Sequence, residues 1–562
     1  MENNSRAPEP GFGPIKANRW LFAALVVALV YSLLALRLAF RLPYLVQDDA
    51  RQHIFWMRRY LDPTIFPNDL IANYFQSIGP AGYKALYWIF AKAGIDPMLL
   101  AKLLPATILA PLCIYLCFRL FMRLMPDPRG AFVSSVLLCQ VLWLKDDVIS
   151  ATPRAFAYPL FLLFVLLFLR RSFFVCSVVL ALEGLFYPPA MIISIGIVVL
   201  YLIRKTHKSF HFSRERSDYI FCGSALLIGA LISFAYERSI AAYGPVLTAD
   251  AARSLPEFGP TGRSPFFLPG YHFWLDSRWS GFFPVTFESL HVATLLFPLL
   301  CLIFPRRERD GNALLFLLRV GTVSFALWAT AHAVLFKLYL PSRYSWWVWY
   351  IIEPIAAGMM IALLFDIVDR FHSVRALRWL PYVAALALLM YPHWRTTIPR
   401  NTYVKGSSAG LYSFLQTQPK NSVIAALGPE ADMIPTFAQR SVLVGAECAI
   451  PFHQGYYRQI RERGQDLVRA EYSPRLDEVR AFIRKYHVDL WVIDRRDFQP
   501  GYLSHAFWFR DIGDTAGIER SLGQGQTPAL LKLIPTCGIW QSPRNVVLDA
   551  HRVEHVDPNL IE

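Results

Sequence analysis

The chain has 562 residues, of which 55% are hydrophobic, 15% are aromatic and only 17% are charged. Soluble proteins carry about a quarter charged residues, so this composition excludes an ordinary soluble protein and indicates a polytopic membrane protein. The formal net charge of +15 does not indicate a nucleic-acid partner, because the basic residues are concentrated between apolar stretches, as in the cytoplasmic loops of membrane proteins.

The hydrophobic runs predict about eleven transmembrane helices, since a crossing helix needs about 20 apolar residues. The runs lie near residues 20–40, 99–118, 130–145, 155–169, 172–187, 188–203, 218–237, 286–304, 313–335, 345–365 and 379–394. Basic residues fill the loops on one side: Arg119, Arg123 and Arg129; Arg170 and Arg171; Arg204, Lys205, Lys208, Arg214 and Arg216; Arg306, Arg307 and Arg309; Arg370, Arg375 and Arg378. The positive-inside rule therefore places the N-terminal tail, residues 1–19, in the cytoplasm and the C-terminus outside it. We expect a multi-pass protein of a bacterial inner membrane.

The first outer loop, residues 42–98, begins with the segment QDDARQH. A helix over residues 50–60 would place Asp49 and His53 one turn apart, beside an apolar face suited to the bilayer surface. Asp48 or Asp49 could then serve as a general base. The alternative is that the two aspartates only cap a helix N-terminus, where negative charge is favourable. Supporting residues of this loop are Arg51, His53 and Asp69.

The second outer loop, residues 145–154, reads KDDVISATPR and carries a further acidic pair, Asp146 and Asp147, followed by Arg154. Two adjacent carboxylates can raise the pKa of one of them or bind a divalent cation. The alternative is a solvated loop in which the acidic pair balances Lys145.

Two more outer loops complete this side of the protein. The loop at 238–285 is rich in glycine, proline and aromatic residues, and the short loop at 336–345 contains KLYLPSRY. Arginine binds phosphate oxygens through two parallel hydrogen bonds, so Arg343, with Lys337 and Tyr344, could hold the phosphate of a lipid carrier. The alternative is an arginine that reaches to the membrane interface. All the acidic and basic groups lie on one predicted side, as an active site between loops and lipid requires.

From residue 396 to 562 the pattern is that of a soluble periplasmic α/β domain. Helices are predicted at 411–416, 455–468 and 474–486, and strands at 422–427, 441–445 and 488–494. Alternation of the two predicts a compact domain. It lacks a glycine-rich phosphate-binding motif. Cys448 and Cys537 could form a disulfide there, although sequence does not supply the required geometry.

An acidic pair after the first span, a second after the third and an Arg-Tyr pair before a late span resemble the GT-C superfamily of integral-membrane glycosyltransferases. The resemblance covers the transmembrane region, residues 20–395, and the C-terminal domain. It implies that a hexose or pentose moves, with inversion, from a polyprenyl-phosphate donor in the membrane lipid to an extracytoplasmic glycan, lipid or protein of the cell envelope.

The resemblance also implies roles for individual residues. Asp48 matches the first-loop aspartate that acts as base, with Asp49 as its acidic neighbour, and Arg343 and Tyr344 match the arginine–tyrosine near the donor phosphate. Asp146 and Asp147 match an acidic pair that holds a divalent metal in some members, so Mg²⁺ or Mn²⁺ is a cofactor that the sequence leaves open. No WWDYG-like acceptor motif is present, which argues against N-glycosylation of peptides.

Two other functions stay open at this point. A transporter or flippase for lipid-linked saccharides would place functional charges inside the spans, where Glu183 and Arg319 are the candidates. A non-catalytic component of an envelope polysaccharide complex would use the C-terminal domain to contact partners.

Overall fold

The computed structural model describes residues 14–205, 209–304, 308–370 and 375–558. Residues 1–13 of the predicted cytoplasmic tail lie outside the described residues. The same holds for Lys208, Arg306 and Arg307 among the predicted cytoplasmic loop residues, and for residues 559–562 at the end of the predicted C-terminal domain.

Each of the eleven hydrophobic runs lies on a helix. The helices are Pro14–Ala39; Pro97–Leu104, continued by a π-helical turn at Pro105–Leu109 and by Ala110–Leu124; Pro128–Leu144; Ala157–Leu169; Phe173–Phe186; Pro188–Tyr201; Arg216–Ile240; Glu288–Ile303; Glu308–Ala333; Trp346–Arg370; and Leu380–Arg395. In the described chain, the stretches long and apolar enough to cross a membrane are Ala17–Ala39, Pro97–Leu124, Arg216–Tyr243, Asp310–Ala333 and Pro341–Arg370. Five further apolar helices are shorter. The protein is therefore a multi-pass membrane protein, while the number of eleven crossings stays a prediction.

The helix Trp346–Arg370 lies at the centre of the helical bundle and is almost entirely buried. It runs antiparallel to Pro128–Leu144, and the two backbones meet at Gly130 and Gly358. A Cβ on Gly358 would lie 2.5 Å from the carbonyl oxygen of Gly130, so only glycine permits this approach, a common device in packed membrane helices. The antiparallel packing brings the end of one helix and the start of the other, and hence the second and fourth outer loops, to the same end of the bundle.

The first outer loop is mostly helical. Its elements are the α-helix Ala50–His53, the 3₁₀-helix Phe55–Tyr60, and the helices Leu70–Ile78 and Ala81–Lys92. The helix expected over 50–60 is thus divided into an α and a 3₁₀ segment. Its apolar face does not lie on the bilayer surface, and that expectation was wrong. Ile54, Trp56 and Met57 are fully buried within the protein.

Nine short strands are present in the described chain: β1 Leu45–Gln47, β2 Ile203–Lys205, β3 Phe210–Phe212, β4 Tyr403–Lys405, β5 Val423–Ala426, β6 Ser441–Val442, β7 Leu490–Asp494, β8 Gly538–Gln541 and β9 Asn545–Asp549. The last five form one sheet in the order β6-β5-β7-β9-β8. In it β6, β5 and β7 are parallel, and β9 pairs antiparallel with both β7 and β8. The three strands predicted from the sequence are β5, β6 and β7.

Helices surround this sheet, and the three predicted ones are the helices Ala409–Thr417, Gln454–Tyr472 and Leu476–Tyr486. The others are Ile434–Phe437, Tyr502–His505, Phe509–Ile512, Thr515–Gly523, Ala529–Cys537 and Ala550–His555. Cys448 and Cys537 are both free and buried, so the disulfide considered between them is not formed.

The sheet-containing region packs directly on the first outer loop. The rings of Tyr74 and Tyr456 are stacked with centroids 3.6 Å apart, and the Tyr74 hydroxyl lies 2.8 Å from Nδ1 of His453. One continuous hydrophobic core joins buried residues of the two regions. The predicted domain boundary at residue 396 and the periplasmic location of the region beyond it stay predictions.

The connector between the two regions also takes part in the fold near the first loop. Strand β4 pairs antiparallel with β1, so that Gln47 lies opposite Tyr403 and Val46 opposite Val404. The pairing continues with a hydrogen bond from the Asp48 amide to the Thr402 carbonyl oxygen, 3.4 Å. The backbone that precedes Asp48 is thereby fixed by residues more than 350 positions away in the sequence.

Candidate active site

A cavity of about 470 Å³ lies at the end of the bundle where these segments meet. Each of the four predicted outer loops contributes a charged residue to its wall. These residues are Asp48 from the first loop, Asp146 from the second, Arg278 from the third and Arg343 from the fourth. The structure therefore brings together charges that are almost 300 residues apart in the sequence.

Arg154 connects the two acidic pairs. Its Nη2 donates to Oδ2 of Asp49, and its Nη1 lies 3.0 Å from Oδ1 of Asp147. The other oxygen of Asp147 accepts a hydrogen bond of 2.7 Å from the Tyr158 hydroxyl. All three charged side chains are largely buried, and buried ion pairs with further hydrogen bonds are the kind that fix geometry.

Asp48 is the more accessible member of the first pair. Its side chain is 45% exposed and lines the cavity, whereas Asp49 is only 17% exposed. Oδ1 of Asp48 accepts from Arg51, and Oδ2 has no hydrogen-bond partner in the described part of the chain. A carboxylate with one oxygen held and one available suits a general base.

Arg51 in turn extends the network to the sheet-containing region. It lies 3.4 Å from Oε2 of Glu447, a residue that also accepts a hydrogen bond from Gln52. Burial raises the pKa of Glu447, and the positive charges of Arg263 and Arg51 oppose that effect only in part. The orientation of Asp48 thus depends on a contact between the first loop and the region beyond residue 396.

The alternative was that the two aspartates only cap a helix N-terminus. Asp49 stands at the cap position of the helix Ala50–His53, but its side chain does not make the capping hydrogen bond. The carboxylate is instead directed to Arg154. A charge held by an arginine from another loop indicates a role in assembling the cavity.

Asp146 lies among positive charges. Its Oδ2 is 3.4 Å from Nη2 of Arg278. Burial raises the pKa of Asp146, but the charges of Arg154, Arg278 and Arg343 outweigh burial, so its pKa lies below the usual value. The group is therefore an anion at neutral pH.

Two guanidinium groups of the cavity wall, Arg343 and Arg400, have no carboxylate partner among the described residues. Nε of Arg343 is also buried without a hydrogen-bond partner in that part of the chain, and its guanidinium lies about 6 Å from the rings of Trp279 and Tyr339. Lys145, on the same wall, donates to the carbonyl of Val285. Unpaired guanidinium groups in a partly enclosed cavity are a site for an anion with several oxygens, such as a phosphate.

Several predicted residues lie away from the cavity wall. Asp69 caps the helix Leu70–Ile78 by accepting from the Ala72 amide at 2.8 Å. Lys337 is exposed on a turn. Tyr344 is buried, and its carbonyl accepts from Ser324. His53 lies behind the acidic pair, with its ring edge-on to Phe75. Of the three residues proposed to hold phosphate, only Arg343 lines the cavity.

Other wall residues were not identified from the sequence. They are Tyr187, Arg278, Trp346, Trp347, Tyr350 and the connector Arg400, Asn401, Thr402, Tyr403 and Val404. The aromatic residues flank the predicted loops, and their place at the membrane interface is typical of such side chains. The connector carries no motif, and it is brought to the site by its pairing with β1 and by a hydrogen bond of 2.9 Å from the Arg400 amide to the Trp143 carbonyl oxygen.

The acidic residues near the cavity offer few free oxygens to a divalent cation. Mg²⁺ and Mn²⁺ require several oxygen ligands that converge on one point. Both oxygens of Asp147 are already engaged, and Arg154 occupies the space between Asp49 and Asp147. Among the described residues, no group of three or more His, Cys, Asp or Glu side chains is placed to hold a metal ion. The residues as arranged do not fit such a cation.

Comparison with known proteins gave no match to any protein-family model or any curated protein. Solved structures do match. The apo oligosaccharyltransferase of Archaeoglobus fulgidus aligns with a TM-score of 0.50 and 12% identity, over 89% of this chain and 72% of that chain. The arabinofuranosyltransferase AftD from Mycobacteria aligns with a TM-score of 0.51 and 14% identity, over 85% of this chain and 36% of that chain. Both are sugar-transferring enzymes by name.

The chain shares its fold with these two glycosyltransferase structures. The resemblance read from the sequence is thus confirmed at the level of fold. At such low identity the alignment assigns no role to individual side chains, and the site residues of this chain stay predictions.

Proposed function

We propose that the protein is a GT-C membrane glycosyltransferase that moves a sugar from a polyprenyl-phosphate donor to an acceptor outside the cytoplasm. One observation carries the proposal. In a cavity at one end of the membrane helices, the carboxylates of Asp48 and Asp146 share a wall with the guanidinium groups of Arg343 and Arg400, which have no carboxylate partner among the described residues. Such a cavity holds a base and an anion-binding group together, as glycosyl transfer requires.

The arginines would bind the donor phosphate. A guanidinium group matches phosphate oxygens in two parallel hydrogen bonds and stays charged at every physiological pH. As the bond between the anomeric carbon and the phosphate oxygen breaks, the electron pair remains on the phosphate, and Arg343 and Arg400 stabilise that charge. Trp346, Trp347 and Tyr350, at the start of a buried membrane helix, would pack on the lipid carrier near its phosphate.

Asp48 would be the general base. The acceptor hydroxyl or amine attacks the anomeric carbon from the face opposite the phosphate, its proton passes to Oδ2 of Asp48, and the configuration inverts. Asp49 and Asp147, held by Arg154, fix the position of the two acidic segments, so that the reacting groups meet in a defined orientation.

The acceptor would be a glycan, lipid or protein of the cell envelope. The loop 238–285 reaches the cavity through Arg278, and the region beyond residue 396 reaches it through the connector Arg400–Val404. These two segments would therefore choose the acceptor. The proposed location is a bacterial inner membrane with the cavity on the periplasmic side.

The test uses purified protein in lipid nanodiscs and a panel of polyprenyl-phosphate-linked hexoses and pentoses, with release and transfer of radiolabelled sugar as the measurement. We expect Asp48→Asn to lose at least about 100-fold in rate, the usual contribution of a general base. Asp62→Asn is the matched control, because Asp62 lies in the same loop but pairs with Lys420 away from the cavity.

Full activity of Asp48→Asn would remove this residue as the base. Movement of the sugar lipid across vesicle membranes with no transfer product would instead support the transporter. Normal growth of cells that carry substitutions of Asp48, Asp49, Asp146 and Asp147 together would support a non-catalytic role.

A further inference from the structure

Arg154 occupies the place between acidic groups that a bound cation would take. It contacts one carboxylate from the first loop and one from the second, Asp49 and Asp147, and it also lines the cavity. Its side chain is 17% exposed. A single buried cation therefore joins two loops more than 100 residues apart and presents positive charge to the space where the donor would bind.

The backbone before Arg154 is strongly constrained. Ala151 has a φ of +51°, a conformation that is unfavourable for residues with a Cβ. Ala151 is fully buried, and its carbonyl accepts from the Tyr87 hydroxyl at 3.0 Å. The hydroxyls of Ser150 and Thr152 lie 2.7 Å apart on either side. Strained backbone that is held by several hydrogen bonds is typical of functional sites, and here it sets the direction of Arg154.

We propose that Arg154 replaces a divalent metal in this protein, so that glycosyl transfer depends on a fixed guanidinium and not on Mg²⁺ or Mn²⁺. The contacts of Arg154 supply the geometry for this inference. Its consequence for catalysis rests on the proposed glycosyltransferase function. The guanidinium provides what a cation at this place would provide: it offsets the charge of two carboxylates, it cross-links two loops, and it lies near the developing negative charge of the leaving phosphate.

Metal binding by the protein can be measured without any measurement of activity. Mn²⁺ added to the purified wild-type protein in nanodiscs should show no site-specific binding by electron paramagnetic resonance. The matched variant is Asp147→Asn, which removes one carboxylate of the acidic pair. A Mn²⁺ signal in the wild type that disappears in Asp147→Asn would overturn the inference, whether or not a sugar donor has been found.

A second experiment follows activity. After treatment with EDTA, and again after addition of Mg²⁺ or Mn²⁺, the wild-type rate should stay within about 2-fold of the untreated rate. A rate that falls at least about 10-fold with EDTA and returns with metal would overturn the inference. If no donor gives turnover at all, the proposed function fails and the Mn²⁺ binding result still decides the metal question.

Variants of Arg154 separate charge from packing. Arg154→Gln should lower the rate by about 100-fold or more, as does loss of one charged group that stabilises the transition state, and Arg154→Lys should recover part of the loss. Addition of Mn²⁺ to Arg154→Gln should also recover part of it, because the two carboxylates are then free to bind a cation. A folded Arg154→Gln protein with the wild-type rate would overturn the proposal, as would one whose rate Mn²⁺ leaves unchanged. Elution as a single species in size exclusion checks folding.

Discussion

The four carboxylates near the cavity differ in how their charge is balanced. Asp147 has both oxygens engaged, Asp49 is held by Arg154, and Asp146 is surrounded by arginines. Asp48 is the most exposed of these four, at 45%, and is bound at only one oxygen. This difference in environment is why we propose Asp48 as the base and a positioning role for the others, although the two aspartates of each pair are adjacent in sequence.

His53 behaves differently from a histidine in water. Burial lowers its pKa from 6.5 to about 4, and the charges of Arg154 and Arg343 act in the same direction against that of Asp49. His53 is therefore neutral at pH 7 and does not supply a proton there. Its role in the proposed reaction is limited to packing behind the acidic pair.

We predict that His53 makes the protein less stable in acid. Between pH 6.5 and about 4 the unfolded chain binds a proton at this residue and the folded chain does not, so stability rises with pH in this window and is lost as pH falls. His53→Gln should reduce the fall in stability between pH 7 and pH 4.5 by roughly 1–3 kcal/mol. Thermal unfolding in detergent measures it.

The matched control is His551→Gln, at an exposed histidine near the C-terminus. It should leave the pH dependence of unfolding as it is in the wild type. An equal effect of the two substitutions would mean that burial of His53 does not govern its titration.

Single residues also show where sequence reasoning reaches its limit. Asp48, Asp146 and Arg343 could be placed on one side of the membrane because the charge of the loops sets topology. Lys337 and Tyr344 were grouped with Arg343 because they are near it in sequence. In the 3₁₀-helix Pro341–Tyr344 successive side chains point in different directions, so the loop directs Arg343 to the cavity and Tyr344 into the core.

At the level of elements, the pairing of β1 with β4 positions the first acidic pair. The amide of Asp48 and that of Gly406 each donate across the ladder, to Thr402 and to Tyr44. Alternate residue pairs of an antiparallel ladder exchange both backbone hydrogen bonds. Val46 and Val404 therefore form a hydrogen-bonded pair, whereas the next pair, Leu45 and Lys405, is not hydrogen-bonded.

We predict that Val404→Pro lowers the rate of glycosyl transfer by about 10-fold or more. Proline removes the amide that donates to β1, the strand separates, and Asp48 moves out of line with the arginines. Lys405→Pro is the matched control, since its amide is not part of the ladder, and its rate should stay within about 2-fold of the wild type. Equal loss in the two variants would show that the pairing is not what positions Asp48.

The sequence predicted most of the membrane helices, because a span is recorded in local hydrophobicity. It also predicted β5, β6 and β7, whose buried apolar runs are continuous. It did not predict β1 and β4, since a three-residue strand leaves no local pattern and forms only when its distant partner is present. The connector residues of the cavity, Arg400–Val404, were missed for the same reason.

The orientation of the whole molecule in the membrane can be measured. The predicted cytoplasmic loops carry the 16 basic residues named above, and the cavity lies at the other end of the bundle. All eight cysteines lie in the described chain and are buried, so the wild type should give little background with a thiol reagent.

We predict that a membrane-impermeant maleimide labels Lys420→Cys in intact cells, and labels Arg170→Cys only after the membrane is opened. Lys420 is exposed beside the first loop, and Arg170 is exposed at the opposite end. The measurement is a gel shift of the labelled protein. Labelling of Arg170→Cys in intact cells would reverse the orientation and place the proposed reaction in the cytoplasm.

The strand pair at residues 45–47 and 403–405 has a consequence for biosynthesis. A ribosome that has finished every membrane helix has not yet released the backbone that closes the cavity wall beside Asp48, because residues 400–405 come after the last of these helices. A nascent or prematurely terminated chain would therefore insert into the bilayer before its cavity wall is complete. In the proposed reaction, donor lipid would be consumed only by polypeptides whose translation has passed the membrane region.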